Sequence, residues 1–116
     1  MTNLHNLAAI PQPPPVPTDS PSVHDAVMAQ LEPDSPAYRV IEGRKAFGFR
    51  KYGTPLQVDN GRDHLGDWLQ EKGDAACYAW AAYIASGYDP ELAGLFVDEM
   101  ESLKRLADYV DAISDD

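Results

Sequence analysis

Six of the chain's ten prolines crowd into its first 21 residues, at positions 11, 13, 14, 15, 17 and 21. Proline has no backbone N–H to donate and its φ is locked, so this stretch suits neither a helix interior nor a sheet ladder and is held near polyproline II. Residues 1–21 therefore read as a disordered, extended tail, serving either as a linker or as a docking peptide for an aromatic-lined groove. What remains, residues 22–116, is near the lower limit for a self-sufficient core, which makes a homo-oligomer the expected state.

Past the tail the helix punctuation is regular. Ser22, with Asp25 three residues on, forms a capping-box-like start for a short helix ending near Leu31. Ser35 and Pro36 supply a cap and first residue for a second helix that should stop near Gly53, with Tyr38, Ile41, Lys45, Phe49 and Tyr52 recurring at helical spacing. A third helix opens around Arg62 and runs to Gly87. Asp89 and Pro90 repeat the cap-then-proline start for a fourth, with Leu92, Phe96, Leu103, Leu106, Val110 and Ile113 on one side. No stretch alternates with period two, so the fold class is all-α, a small helical bundle of three main helices and a short N-terminal one.

The net charge of −10 argues against direct binding to nucleic acid or to anionic lipid, which repel an acidic protein. No apolar run reaches the roughly 20 residues that span a bilayer, and the N-terminus lacks the basic and apolar regions of a secretory signal. The single cysteine, Cys77, allows neither an intramolecular disulfide nor a cysteine-based zinc cage, and a cytoplasmic, reducing location is the expectation. Cys77 itself lies in the apolar run DAACYAW, which favours a packed, inert thiol.

The third helix carries the most telling pattern. At 100° per residue, Asp63, Asp67, Glu71 and Asp74 fall at about 0°, 40°, 80° and 20° around its axis, one narrow stripe. Trp68, Leu69, Ala75, Ala76, Ala79 and Trp80 lie on the other side and should be buried. The helix dipole accounts for Asp63 and Asp67 at the N-terminus, but Glu71 and Asp74 sit further in and crowd Asp67. A divalent cation such as Mg²⁺, which takes carboxylate oxygens, would relieve that crowding, as would basic side chains; the plain alternative is a solvated acidic face. Arg39, Arg44, Lys45, Arg50, Lys51 and Arg62 lie between positions 39 and 62, where only Glu42 and Asp59 are acidic. Metal and cations together are what a nucleoside polyphosphate needs.

The run RKYGTPLQ with its NGRD loop, continuing into DWLQEKGDAACY, resembles small phage- and prophage-type proteins, and QEKGDAACY is similar to the second carboxylate motif, E-x-x-D, of MazG-like all-α nucleoside triphosphate pyrophosphohydrolases. The resemblance spans roughly residues 38–84. It implies an oligomeric helical bundle that hydrolyses nucleotides to monophosphate and pyrophosphate, with Mg²⁺ held by acids on two helices. Glu71 and Asp74 would then be the catalytic, metal-holding pair, with Asp67 beside them and Glu42 completing the shell from the second helix. Lys51, Arg50 and Arg62 would grip phosphates. The family's first motif, E-E-x-x-E, is reduced here to Glu42, with Gly43 and Ala46 where further acids would stand.

Tyr78, at about 60° on the carboxylate side of the third helix, is a candidate for stacking on a base, or for closing the edge of a core. His5, His24 and His64 lack metal-ligand spacing, and only His64, beside Asp63, is placed to carry a proton. Glycines in KYGTPLQVDNGRD fit helix-cap and turn chemistry, with Asn60-Gly61 as a tight turn. Gly66 and Gly73 weaken the third helix unless close approach of a neighbour or ligand needs them. Two functions compete on these residues. One is a Mg²⁺-dependent nucleotide pyrophosphohydrolase. The other is a non-catalytic, phage-type module binding a nucleotide or a host protein, in the host cytoplasm during infection. A third role, joining partners through the proline-rich tail, would make it an assembly protein.

Overall fold

Serine and aspartate side chains open four of the helices in the way their chemistry predicts, Asp89 before the last of them accepting from Glu91 N–H at 2.8 Å. A computed structural model describes residues 4–114, and among them it holds five helices and no strand: α1 Leu4–Ala9, α2 Val23–Met28, α3 Pro36–Tyr52, α4 His64–Ala85 and α5 Pro90–Ser114. The Ser22 hydroxyl accepts from the Asp25 N–H at 3.3 Å, Ser35 from Tyr38 N–H at 3.3 Å, and the Asp63 carboxylate from Gly66 N–H at 3.0 Å. Each bond satisfies a donor that has no partner inside its own helix. α3 ends at Gly53, whose φ of 71° is a left-handed conformation that costs glycine little, and whose N–H donates to the Phe49 carbonyl. The second helix expected from the sequence thus has the bounds foreseen for it, while α2 stops at Met28, short of Leu31.

The chain divides into two compact units, one joining the N-terminal residues through Pro11 to everything from Asp63 onward, the other being Gln12–Arg62. In the first, α4 and α5 form an antiparallel hairpin. Leu65, Leu69, Lys72, Ala76, Ala79 and Tyr83 on α4 meet Leu92, Phe96, Glu99, Leu103, Leu106 and Val110 on α5, all buried or half-buried. Their alternating steps of four and three residues are the seam spacing of two helices packed side by side. Lys72 Nζ and Glu99 Oε1 pair across that seam at 2.7 Å, and Trp80 and Phe96 rings approach to 5.2 Å. Ile113, expected on the same side, is half exposed instead.

Residues 4–9 of the expected tail form α1. Leu4 and Leu7 on α1 pack against the cluster of Leu69, Leu106 and Val110. A six-residue helix is too short to be stable alone, so this docking is what holds it. Gln70 adds to it, its Nε2 donating to the Leu7 carbonyl at 3.0 Å and the Ile10 carbonyl at 2.9 Å. The prolines begin only at 11, so nothing in residues 4–9 forbids the helix. Residues 1–3 of the expected tail lie outside the described residues.

In the second unit, residues 12–18 form neither helix nor strand, with Gln12, Pro15 and Thr18 half-buried and the residues between them exposed. A period of three is that of a polyproline II helix. The segment is clamped by the loop that follows α3. Buried Gln57 donates through Nε2 to the Thr18 and Ser20 carbonyls, each at 2.7 Å, and accepts from Thr18 N–H at 2.9 Å. Asp59 accepts from the Thr18 hydroxyl at 2.7 Å and the Ser20 hydroxyl at 2.8 Å. Val16 N–H donates to the Asn60 carbonyl at 2.9 Å, and Arg62 Nη1 to the Pro13 carbonyl at 3.1 Å. α3 packs on α2, where Lys45 Nζ meets Asp25 Oδ1 at 2.6 Å. Tyr38, Ile41 and Lys45 are half-buried there, but Phe49 and Tyr52, expected on the same stripe, are exposed. Among the described residues no helix is long and apolar enough to cross a membrane.

Candidate functional site

α4 keeps its acids on one face because its other face is committed to the hairpin seam. Glu71 and Asp74 are exposed and Asp67 is half-buried, while Asp63 is spent as the helix cap. Tyr78 continues that face and is 72 % exposed, so it closes no core edge. Glu42 is exposed on α3, which belongs to the Gln12–Arg62 unit, whereas the three α4 acids belong to the hairpin. Among the described residues no three His, Cys, Asp or Glu side chains gather closely enough to hold a metal ion.

Two of the three expected phosphate-binding residues do come together. Lys51 Nζ lies 5.2 Å from the Tyr52 ring centre and the Arg62 guanidinium 5.8 Å from it, cation–π distances that place both cations about one ring. Arg62 is also anchored through its bond to Pro13. Arg50 is exposed in the last turn of α3, where it complements the helix dipole. Arg44 stacks on Phe47 at 4.6 Å.

Several expectations about the faces of α4 need correction. Leu69 and Ala76 are buried and Ala75 and Ala79 half-buried as the wheel requires, but Trp68 is 56 % and Trp80 50 % exposed. They sit on the flanks of a face wider than a single partner helix covers. Cys77 is exposed rather than packed, because its position falls between the acidic stripe and the seam. His64 is the first residue of α4, and His24 lies beside Asp25 in the other unit. Burial lowers the His24 pKa, the adjacent Asp25 opposing that shift and Lys45 and Arg44 adding to it. Asp59 is also lowered, by the hydroxyls of Thr18 and Ser20 that donate to it.

Trp68 belongs to a feature that periodicity did not announce. With Leu65, Ser102, Arg105, Leu106 and Tyr109 it lines a groove of about 760 Å³ along the hairpin. That volume is in the range of ligand and peptide sites. Trp68 and Tyr109, the latter 57 % exposed, are its aromatic lining residues, and Arg105 is the cation among them. Spacing does put Ser102 and Tyr109 seven residues apart on one side of α5, but only the pairing of α5 with α4 brings Trp68 to them.

Charge is as unevenly divided as exposure. From Asp63 to the C-terminus the sequence has thirteen acidic and three basic residues, so that stretch carries the whole net charge of −10. Gln12–Arg62 has six of each sign. Two of the three cations after Asp63 are already paired, Lys72 with Glu99 and Lys104 with Glu101 at 3.4 Å. Compared with protein-family models, curated proteins and solved structures, the chain finds no match.

Proposed function

We propose that this chain is a non-catalytic binding module whose acidic helical hairpin engages a basic surface of a partner protein, a host protein if the phage-type resemblance extends to its biology. The observation that carries this reading is the segregation of charge: the whole −10 belongs to the stretch from Asp63 onward, where two of three cations are neutralised in place. A surface of one sign steers a partner of the other sign and raises the association rate. Tyr78, standing among Asp67, Glu71 and Asp74, offers the apolar contact that fixes such an encounter. Basic protein surfaces commonly serve nucleic acid, so the chain would compete with DNA or RNA for its partner rather than bind either.

A second reading, Mg²⁺-dependent binding or hydrolysis of a nucleoside polyphosphate, is favoured by the two cations about Tyr52. Lys51 and Arg62 would take phosphate oxygens there, and Glu71 and Asp74, with Asp67 and Glu42, remain the residues proposed for the metal. One experiment separates the two. Partners captured from host extract by the wild-type chain should be released by moderate salt and by added DNA, and should be lost to the Asp67→Asn, Glu71→Gln, Asp74→Asn triple variant. Capture untouched by that neutralisation rejects the binding module. Pyrophosphate release from deoxynucleotides with Mg²⁺, abolished by Glu71→Gln alone, selects the enzyme.

A further inference from the structure

α3 is a 17-residue helix covered along one stripe only. Tyr38, Ile41, Lys45 and Gly48 are half-buried, and every other residue of the helix is exposed. At 100° per residue the side opposite that stripe is centred near Gly43, with Phe47 and Val40 beside it, an apolar strip whose two side chains are 44 % and 63 % exposed. Arg39 and Arg50 flank the strip on one side and Arg44 and Lys51 on the other, over about 18 Å of helix. Glu42, the only acid of α3, falls outside this sector.

Two features of that face are unexplained by the chain's own packing. The chain holds 19 acidic residues, yet among the described residues none of those four cations has a carboxylate partner, whereas Lys45 on the covered stripe takes Asp25. Arg44 and Lys51 lie over the rings of Phe47 and Tyr52 instead, at 4.6 Å and 5.2 Å. Gly43 weakens the helix relative to alanine, and a Cβ there would meet nothing within 4 Å. A second helix laid on α3 would use both, since glycine admits close approach of a backbone and charges on either side of an apolar strip orient a partner helix.

We propose that this face of α3 docks an acidic amphipathic helix of a partner protein. Its apolar side chains lie on Val40 and Phe47, its backbone crosses close over Gly43, and its carboxylates pair with Arg39 and Arg50 on one flank and with Arg44 and Lys51 on the other. Charge complementarity selects that occupant. Two apolar side chains are too few to enter a bilayer, and the net charge of −10 repels extended polyanions such as nucleic acid and anionic lipid. A short acidic helix meets the four cations within the screening length of about 8 Å at physiological salt, beyond which other acids of the chain are muted. None of the α4 acids takes part, so this contact stands or falls apart from the hairpin's proposed contact with a basic surface.

The probe is a fluorescent designed helical peptide with leucine at heptad positions a and d, glutamate at e and g and alanine elsewhere, titrated into the full-length chain and followed by anisotropy. Binding should weaken as salt rises, and should fall about tenfold or more in Phe47→Ala, the loss expected of an aromatic anchor. Arg39→Glu with Arg50→Glu, both at exposed positions, should weaken it too, and a peptide with lysine at e alone or at g alone should recover binding to that variant. Gly43→Ala should raise the midpoint of thermal unfolding yet weaken the peptide, opposite signs that a merely structural glycine would not give. Trp68→Ala, in the hairpin groove, should change nothing. The proposal is overturned if the peptide does not bind, if the two arginine substitutions leave binding unchanged, if neither lysine peptide recovers it, or if Gly43→Ala binds as the wild type does. Loss of binding in Trp68→Ala with retention in Phe47→Ala also overturns it. So does tighter binding of a single-stranded oligonucleotide or of phosphatidylserine vesicles that the arginine substitutions remove, or a dimer of the chain alone that they dissociate, since nucleic acid, lipid or a second copy would then be the occupant.

Discussion

Gln57 is the side chain on which the clamp most depends. Its amide satisfies two carbonyls and one N–H of the segment 39 and 37 residues before it, and it is 3 % exposed. Gln57→Ala strands those groups in a partly dry site, and should cost about 1–3 kcal/mol in urea unfolding. The variant should also speed amide exchange at Val16 and Thr18. Asp59 gives the clamp a pH dependence whose sign follows from the hydroxyls donating to it. A carboxyl held below its ordinary value of 3.8 contributes stability that is present above that value and is lost as pH falls through the lower, folded one. Exchange at Thr18 and Ser20 should therefore accelerate below about pH 4, and Asp59→Asn should remove that acid step. Little of this was legible in the sequence. QVDNGRD reads locally as turn chemistry, and the turn is there, with Gly61 at φ 82° and the Asn60 side chain accepting from Arg62 N–H at 3.1 Å. The partners of Gln57 and Asp59 lie far back in the chain, where no local signal points.

At the scale of elements, helix ends were legible and helix faces only partly so. A cap is an exchange between residues two or three apart, which is why Ser22, Ser35 and Asp89 announced themselves, whereas Asp63 was read as part of the acidic stripe and only the structure shows it as a cap. Which residues are covered depends on how many neighbours arrive, and α4 has the seam of α5 on one side and α1 at one end, leaving Trp68 and Trp80 half exposed. α1 itself was hidden by the prolines after it, since Leu4 and Leu7 alone make a weak pattern. Gly73 offers a test of helix energetics. A Cβ there would meet nothing within 4 Å, so no close approach requires the glycine. Gly73→Ala should stabilise the chain by about 1 kcal/mol and raise the midpoint of thermal unfolding accordingly. The same change at Gly53 should destabilise it, because φ 71° strains a residue with a Cβ.

Across the whole molecule, unbalanced charge sets the electrostatics. Thirteen acids against three bases from Asp63 onward repel one another, and the hairpin seam with α1 is the packing that opposes them within that unit. Raising ionic strength from about 0.01 M to about 0.15 M should shorten the Debye length from about 30 Å to about 8 Å and increase the midpoint of thermal unfolding. A midpoint insensitive to salt would mean that the acids are spaced or paired well enough to escape the repulsion.

The sequence by itself determined the helical class, three capped helix starts, the glycine stop of α3 and the acidic face of α4, because each follows from residues within one or two turns of each other. Tertiary structure alone decided that Gln57 and Arg62 hydrogen-bond to the backbone of the proline segment and that Trp68, Arg105 and Tyr109 share a groove. Both depend on side chains distant in sequence meeting in space, and neither backbone periodicity nor composition carries that information.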